Sequence, residues 1–326
     1  ASSASNSVTP ATVPGAPTFV TPVEGDTQVA LSWTAPADDG GASVTDYVVE
    51  YKLTSDVGWL TFTDGTSAST SATVTGLVNG SSYDFRISAV NSAGQGSASS
   101  TATATPKTVP GAPTIGTATG GNAQASVTFS APGSNGGSAI TSYTVTSSPG
   151  SITGTGSSSP ITVTGLTNGT SYTFTVTATN VVGTGSASSA SNSVTPATVP
   201  GAPTGVTATA GNGQVSLTWL APSDDGGSSI TDYVIEYKLT SDISWLVFAD
   251  GTSTNLSATV TGLTNGLSYD FRVSAVNGVG QSVIESTNGT PAGGNNGSSG
   301  GGTSGSMPRT VNDQPVTEIP VVINDD

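Results

Sequence analysis

Leu77-Val78-Asn79-Gly80-Ser81-Ser82-Tyr83, Leu166-Thr167-Asn168-Gly169-Thr170-Ser171-Tyr172 and Leu263-Thr264-Asn265-Gly266-Leu267-Ser268-Tyr269 are three copies of one pattern, Leu-x-Asn-Gly-x-x-Tyr, in a chain of 326 residues. Asn-Gly is turn chemistry, because both residues accept a left-handed backbone, and the first copy leads into Tyr83, Phe85, Ile87 and Ala89, apolar at every second position. Working outward, Val-Pro-Gly-Ala-Pro-Thr begins at Val13, Val109 and Val199, so whole units recur at spacings of 96 and 90 residues. Such units are longer than solenoid repeats of roughly 20 to 45 residues, and each encloses its own core. Period two also holds in Val29, Leu31, Trp33 and in Tyr47, Val49, Tyr51, with Gly, Asn, Asp and Pro between the runs and no helical stripe. The expectation is all-β: three tandem antiparallel sandwiches.

The first and third units align at an offset of 186, read here without a gap, pairing Trp33 with Trp219, Trp59 with Trp245 and Tyr83 with Tyr269. Residues 1–12 repeat residues 187–198 exactly as the end of unit two, which reads as an excerpt from a longer alternating array. The expected organisation is 1–12 the tail of a preceding repeat, 13–106, 109–197 and 199–291 the three sandwiches, 292–306 a Gly/Ser-rich linker and 307–326 a C-terminal segment. Within that segment, 314–323 is β-prone, with Pro315 and Pro320 restricting it to an edge position. It is either a strand that pairs in its own or a neighbouring chain, or the start of a further domain or a disordered terminus. Short Pro-bearing connectors at 106–110 and 196–200 predict a semi-rigid rod of roughly 90 Å.

Composition excludes several chemistries. The chain has no Cys and no His, so there is no thiol nucleophile, imidazole base or Cys/His zinc site. Six Lys and Arg against 21 Asp and Glu give a net charge of −15, the wrong sign for nucleic acid or an anionic membrane. No run of 18 apolar residues occurs. A Gly-x-Ser-x-Gly match at 297–301 lies in the linker without strand, helix or base. Nothing in the sequence reads as an enzyme, and no cofactor is expected.

Together, the Pro-rich entry, an aromatic before Ala-Pro (Trp33, Phe129, Trp219) and the corner tyrosines Tyr83, Tyr172 and Tyr269 resemble a fibronectin type III array. The resemblance implies that the first three residues are core aromatics and that each tyrosine hydroxyl ties a crossover loop to the backbone. The element Gly136-Gly137-Ser138-Ala139-Ile140-Thr141-Ser142-Tyr143 looks like bacterial members, so a secreted, cell-surface bacterial type is expected.

Two groups of residues are candidate sites. Asp38 and Asp39, with Asp224 and Asp225, pair carboxylates on a loop as calcium requires. Two carboxylates fall short of six to eight oxygens, however, and unit two holds Ser134-Asn135 there, which favours a turn. Trp59 and Trp245 are the ligand-contact candidates, either platforms for sugars or partner surfaces, or aromatics covering the sandwich rim. Glu50, Lys52, Asp84 and Arg86, with Glu236, Lys238, Asp270 and Arg272, are expected to form cross-strand ion pairs on the outer face.

The leading functional expectation is a non-enzymatic extracellular structural or adhesive protein, a bacterial surface stalk or fibre subunit. The alternatives are a spacer of a secreted polysaccharide-degrading enzyme, or a carbohydrate- or protein-binding module. Expected partners are neighbouring copies or domains of a longer surface protein, polysaccharide or cell-surface protein, with self-assembly through 314–323.

Overall fold

A computed structural model describes residues 10–293 of the chain. Residues 1–9 of the expected N-terminal tail, 294–306 of the linker, and 307–326 with the 314–323 strand lie outside the described residues. All strand pairs are antiparallel, and each repeat is built from two sheets.

In repeat one, Thr18–Gly25, Gln28–Thr34 and Ser71–Thr75 form the first sheet. Leu60–Phe62, Asp46–Leu53, Tyr83–Asn91 and Gly94–Ala98 form the second, with Ala102–Ala104 also pairing to Tyr83–Asn91. Repeat two pairs Thr114–Gly121, Gln124–Ser130 and Ile161–Thr164 against a sheet of Thr153–Gly156, Ser142–Ser148 and Thr173–Thr179. Repeat three repeats the plan with Thr204–Gly211, Gln214–Leu220 and Ser257–Thr261 over Leu246–Val247, Asp232–Leu239, Tyr269–Val276 and Glu285–Gly289. Alternation supplies the inner faces: Val29, Leu31 and Trp33 meet Tyr47, Val49, Phe85 and Ile87 in one closed cluster, and the other repeats do likewise.

Each core is centred on an aromatic pair, with ring centroids 5.3 Å apart for Trp33–Tyr47, 4.8 Å for Phe129–Tyr143 and 5.5 Å for Trp219–Tyr233. The indole nitrogens of Trp33 and Trp219 are buried without a hydrogen-bond partner. Phe129, in the same place, carries no donor to strand. Apolar area therefore holds this position, and the indole N–H is tolerated there.

The Leu-x-Asn-Gly-x-x-Tyr corner locks the two sheets together. The tyrosine hydroxyl accepts from the backbone N–H of Val78, Thr167 or Thr264, at 3.1 Å in each repeat. The asparagine Oδ1 accepts from the second residue of the first hairpin turn, Thr27, Ala123 or Gly213, at 2.9, 2.8 and 2.8 Å. Those three turn residues all have positive φ, 54°, 53° and 65°, and Thr27 as a β-branched residue holds it under strain. In repeats one and two the asparagine thus pins a turn whose left-handed backbone the side chain of Thr27 or Ala123 disfavours, whereas Gly213 adopts it freely.

The alignment of repeats one and three is not gapless: the offset of 186 at Tyr83 and Tyr269 falls to 185 at the last strand, where Asp84 faces Thr103 but Asp270 faces Asn288. Repeat one uses the extra residue in the bulged pairing of Gly94–Ala98 with Tyr83–Asn91.

Replacing Tyr172 by Phe keeps the ring and orphans the Thr167 N–H. The expected cost to repeat two is about 0.5–1.5 kcal/mol, read as faster hydrogen exchange of core amides such as Val176 with the other repeats unchanged.

Candidate functional site

Two arrangements stand out from the bare sandwich. The first lies on the outer face of repeats one and three. Strand register sets Glu50 opposite Arg86 and Lys52 opposite Asp84, and sets Glu236 opposite Arg272 and Lys238 opposite Asp270. Both arginines are bidentate, at 2.8 and 3.2 Å for Arg86–Glu50 and 2.7 Å twice for Arg272–Glu236. The lysines reach Asp84 at 3.1 Å and Asp270 at 2.9 Å. Each lysine also donates to a carbonyl of the following loop, Asp56 at 2.8 Å and Asp242 at 3.0 Å, which steers the loop toward its tryptophan.

Trp59 and Trp245 are half-buried and lie over their own repeat's cations. The guanidinium carbon is 4.3 Å from the ring centroid and the ammonium 5.4 Å, in both repeats. Four of the six cations in the chain are spent on these two faces. Beside each indole, Val57 and Ile243 project at the loop tip, 99% and 96% exposed. Repeat two presents Thr153–Gly156 at the corresponding edge, and no charged residue occurs between Lys107 and Asp224.

Electrostatics follow from these contacts. Burial works to raise the Asp84 carboxyl, but hydrogen bonds from Thr103, Lys52 and Thr54 outweigh it and hold the group below its usual range. Asp270 is held low by the Lys238 ammonium and then by Thr240. At the linker, Lys107, 2.7 Å from Glu24, with the Thr105 N–H, holds that carboxyl low as well.

The second arrangement is the junction between repeats, and it involves the calcium candidates. Asp38 and Asp39 accept from the N–H of Gly40 and Gly41 at 2.8 and 2.9 Å, and Asp224 and Asp225 do the same for Gly226 and Gly227 at 2.8 Å. Ser134 and Asn135 make the same turn with hydroxyl and amide oxygens, at 3.1 and 3.0 Å. These carboxylates are turn-makers. Among the described residues no cluster of three or more metal-ligating side chains occurs.

What the turns present is a pair of glycines at positive φ, Gly40–Gly41, Gly136–Gly137 and Gly226–Gly227. The first of each pair packs on the incoming linker: a Cβ there would collide with the carbonyl of Thr12, Thr108 or Thr198. The second meets the preceding repeat: a Cβ on Gly137 would strike the Gly80 nitrogen, and one on Gly227 the Gly169 nitrogen. The corner Asn-Gly of one sandwich is therefore seated on the Gly-Gly loop of the next. Gly80 and Gly169 in turn donate to Pro106 and Pro196 at 2.9 Å, fixing the start of each linker.

A buried asparagine closes the junction. Asn180 donates to Thr108 and Asn135 carbonyls at 2.8 and 2.9 Å, Asn277 to Thr198 and Asp225 at 2.8 Å, and Asn91 to Thr12 and Asp39 at 2.7 Å. This role leaves no local mark in the sequence, because the partners lie up to 79 residues away.

A family model described as fibronectin type III domain matches residues 14–105, 110–194 and 201–291. The titin homolog of Caenorhabditis elegans is 41% identical over 73 residues, which is 22% of this chain and less than 1% of that protein. Human cell adhesion molecule-related/down-regulated by oncogenes is 42% identical over 76 residues, 23% of this chain and 6% of that one. Chicken cardiac-type myosin-binding protein C is 36% identical over 98 residues, 30% of this chain and 8% of that one. The chain thus matches less than a tenth of the length of these relatives. The solved FN1–FN3 domains of chicken CNTN1 are 21% identical, with a TM-score of 0.31, covering 86% of this chain and 99% of that one.

These relatives are animal proteins, which overturns the bacterial assignment. Its carrier, the Gly-Gly-x-x-Ile/Val-Thr-x-Tyr element, answers to geometry: two residues without Cβ are needed where linker and preceding corner approach.

Two outcomes are expected. Gly137→Ala should increase tryptic cleavage after Lys107 in the connector. Gly165→Ala, at nearly the same φ with open space around it, should not; equal cleavage in both variants would refute the clamp. Below about pH 4, repeats one and three should lose stability. Their depressed carboxylates stabilise the fold above the unfolded pKa, and that contribution disappears as pH falls through the lower folded values. Repeat two has no carboxylate to protonate between Lys107 and Asp224, and per-repeat hydrogen exchange should show it unmoved.

Proposed function

The chain belongs to the fibronectin type III domain family, and on that premise we propose that it holds interaction surfaces at set spacing within a longer protein. It is a non-enzymatic structural and adhesive repeat array. Its setting is extracellular or at the cell surface, in line with the relative whose name is cell adhesion molecule-related. The comparisons favour neither the bacterial stalk nor the spacer of a polysaccharide-degrading enzyme.

The observation that carries this reading is the repetition of one junction. The same corner, linker and Gly-Gly contacts occur between repeats one and two and between two and three. A chain selected only for three independent sandwiches has no need to repeat them, whereas a spacer with a defined end-to-end path does. In this reading the sandwiches are 13–106, 109–197 and 199–291, and the connectors belong functionally to the junctions. Repeats one and three carry the indole–cation face with an exposed apolar tip, so Trp59 and Trp245 mark the contact surfaces. Neutral repeat two separates them. Partners are neighbouring domains of the longer protein and the molecules that meet those two faces.

If the junctions are interchangeable, excising residues 109–198 brings Asn79-Gly80 onto Gly226-Gly227. Small-angle scattering should show a chain shorter by one sandwich, about 30 Å, and repeat three should keep its stability. A destabilised or freely swinging repeat three would refute the modular reading.

A further inference from the structure

Repeats one and three are siblings, yet the shift of one residue in their last strands changes what faces the buried aspartate. In repeat one, Thr103 stands opposite Asp84 and donates to its Oδ1 at 2.8 Å, alongside Thr54 at 3.1 Å, while Lys52 takes Oδ2. In repeat three, Asn288 stands opposite Asp270, whose Oδ1 accepts from Thr240 at 2.9 Å and whose Oδ2 meets Lys238 at 2.9 Å. The donor that Thr103 supplies has no counterpart, and the Asp270 side chain is 29% exposed against 13% for Asp84. A shallow pocket of about 360 Å³ opens there, lined by Trp245, Asp270, Ser286, Thr287 and Asn288. That volume falls in the range of small-ligand sites, about 300–1,000 Å³.

We propose that this pocket of repeat three binds a neutral saccharide, and that repeat one has the same place closed by Thr103. The lining combines an indole, which takes the C–H face of a pyranose ring, with a carboxylate acceptor, an amide that donates and accepts, and two hydroxyls. A sugar hydroxyl supplies to Asp270 the hydrogen bond that Thr103 supplies to Asp84. The cations beside the pocket are already paired, Lys238 with Asp270 and Arg272 with Glu236, and the chain carries a net charge of −15, so anionic sugars are disfavoured. The inference deepens the proposal that Trp245 marks a contact surface. It does not depend on the junctions, so its failure leaves the spacer reading intact.

The test is a titration of the full chain with cellohexaose and with maltohexaose, following the indole N–H resonances of Trp245 and Trp59, with hexagalacturonate as the anionic comparison. Saturable movement of Trp245 by a neutral hexaose, with Trp59 and the galacturonate titration flat, is expected. Asn288→Thr should weaken binding by about tenfold or more while the remaining spectrum keeps its dispersion, and Thr103→Asn should confer movement on Trp59. No movement of Trp245 by either neutral hexaose at about 10 mM, equal movement of both indoles, or binding unaffected by Asn288→Thr would each overturn the proposal.

Discussion

Two backbones approach so closely at each junction that the second glycine of the Gly-Gly loop has no room for a side chain against the Asn-Gly corner of the sandwich before it. The constraint is steric first, since a Cβ on Gly137 or Gly227 has no room, and conformational second, since each of these glycines has φ between 73° and 82°. The other contacts of the junction gather around this one. The corner asparagine pins the first hairpin turn, the corner glycine holds the linker proline, and the buried Asn180 or Asn277 ties the linker to the next loop. Core closure and domain–domain contact therefore share residues, so the packing of each sandwich feeds directly into its placement against the next.

The strands and cores were legible because a period of two is a local signal: Val29, Leu31 and Trp33 declare their face without knowledge of any partner. The corner was legible too, since Asn-Gly and Tyr83 recur at fixed spacing. The cross-strand pairs of Glu50 with Arg86 and Lys52 with Asp84 followed once the two strands were read as neighbours. The placement of Trp59 over Arg86 did not follow, because the loop from Thr54 to Gly58 has no periodicity to orient it and Lys52 positions it by a backbone contact. Contacts across repeats were out of reach for the same reason: Gly137 meets Gly80 through space, and its sequence neighbours read only as a turn. The misread organism type came from treating that turn as a lineage mark when its glycines answer to sterics.

Charge is distributed with the same economy. Repeats one and three gather four cations into half-buried ladders beneath an indole, and these ladders join the two inner strands of the sheet beside the loop where Val57 and Ile243 protrude. Repeat two carries hydroxyls in place of ions and separates two related faces. The one-residue shift before Asn288 then makes the siblings unequal, leaving Asp270 more open than Asp84. A repeat array of this kind varies its surface at strand edges while the junction geometry stays constant.

Junctions of this kind hold the repeats in one relative orientation. Residual dipolar couplings of backbone amides, measured on the whole chain in one alignment medium, test it most directly. The couplings of all three sandwiches are expected to fit a single alignment tensor. Three tensors differing in magnitude and orientation would mean that the repeats tumble independently, and would contradict it.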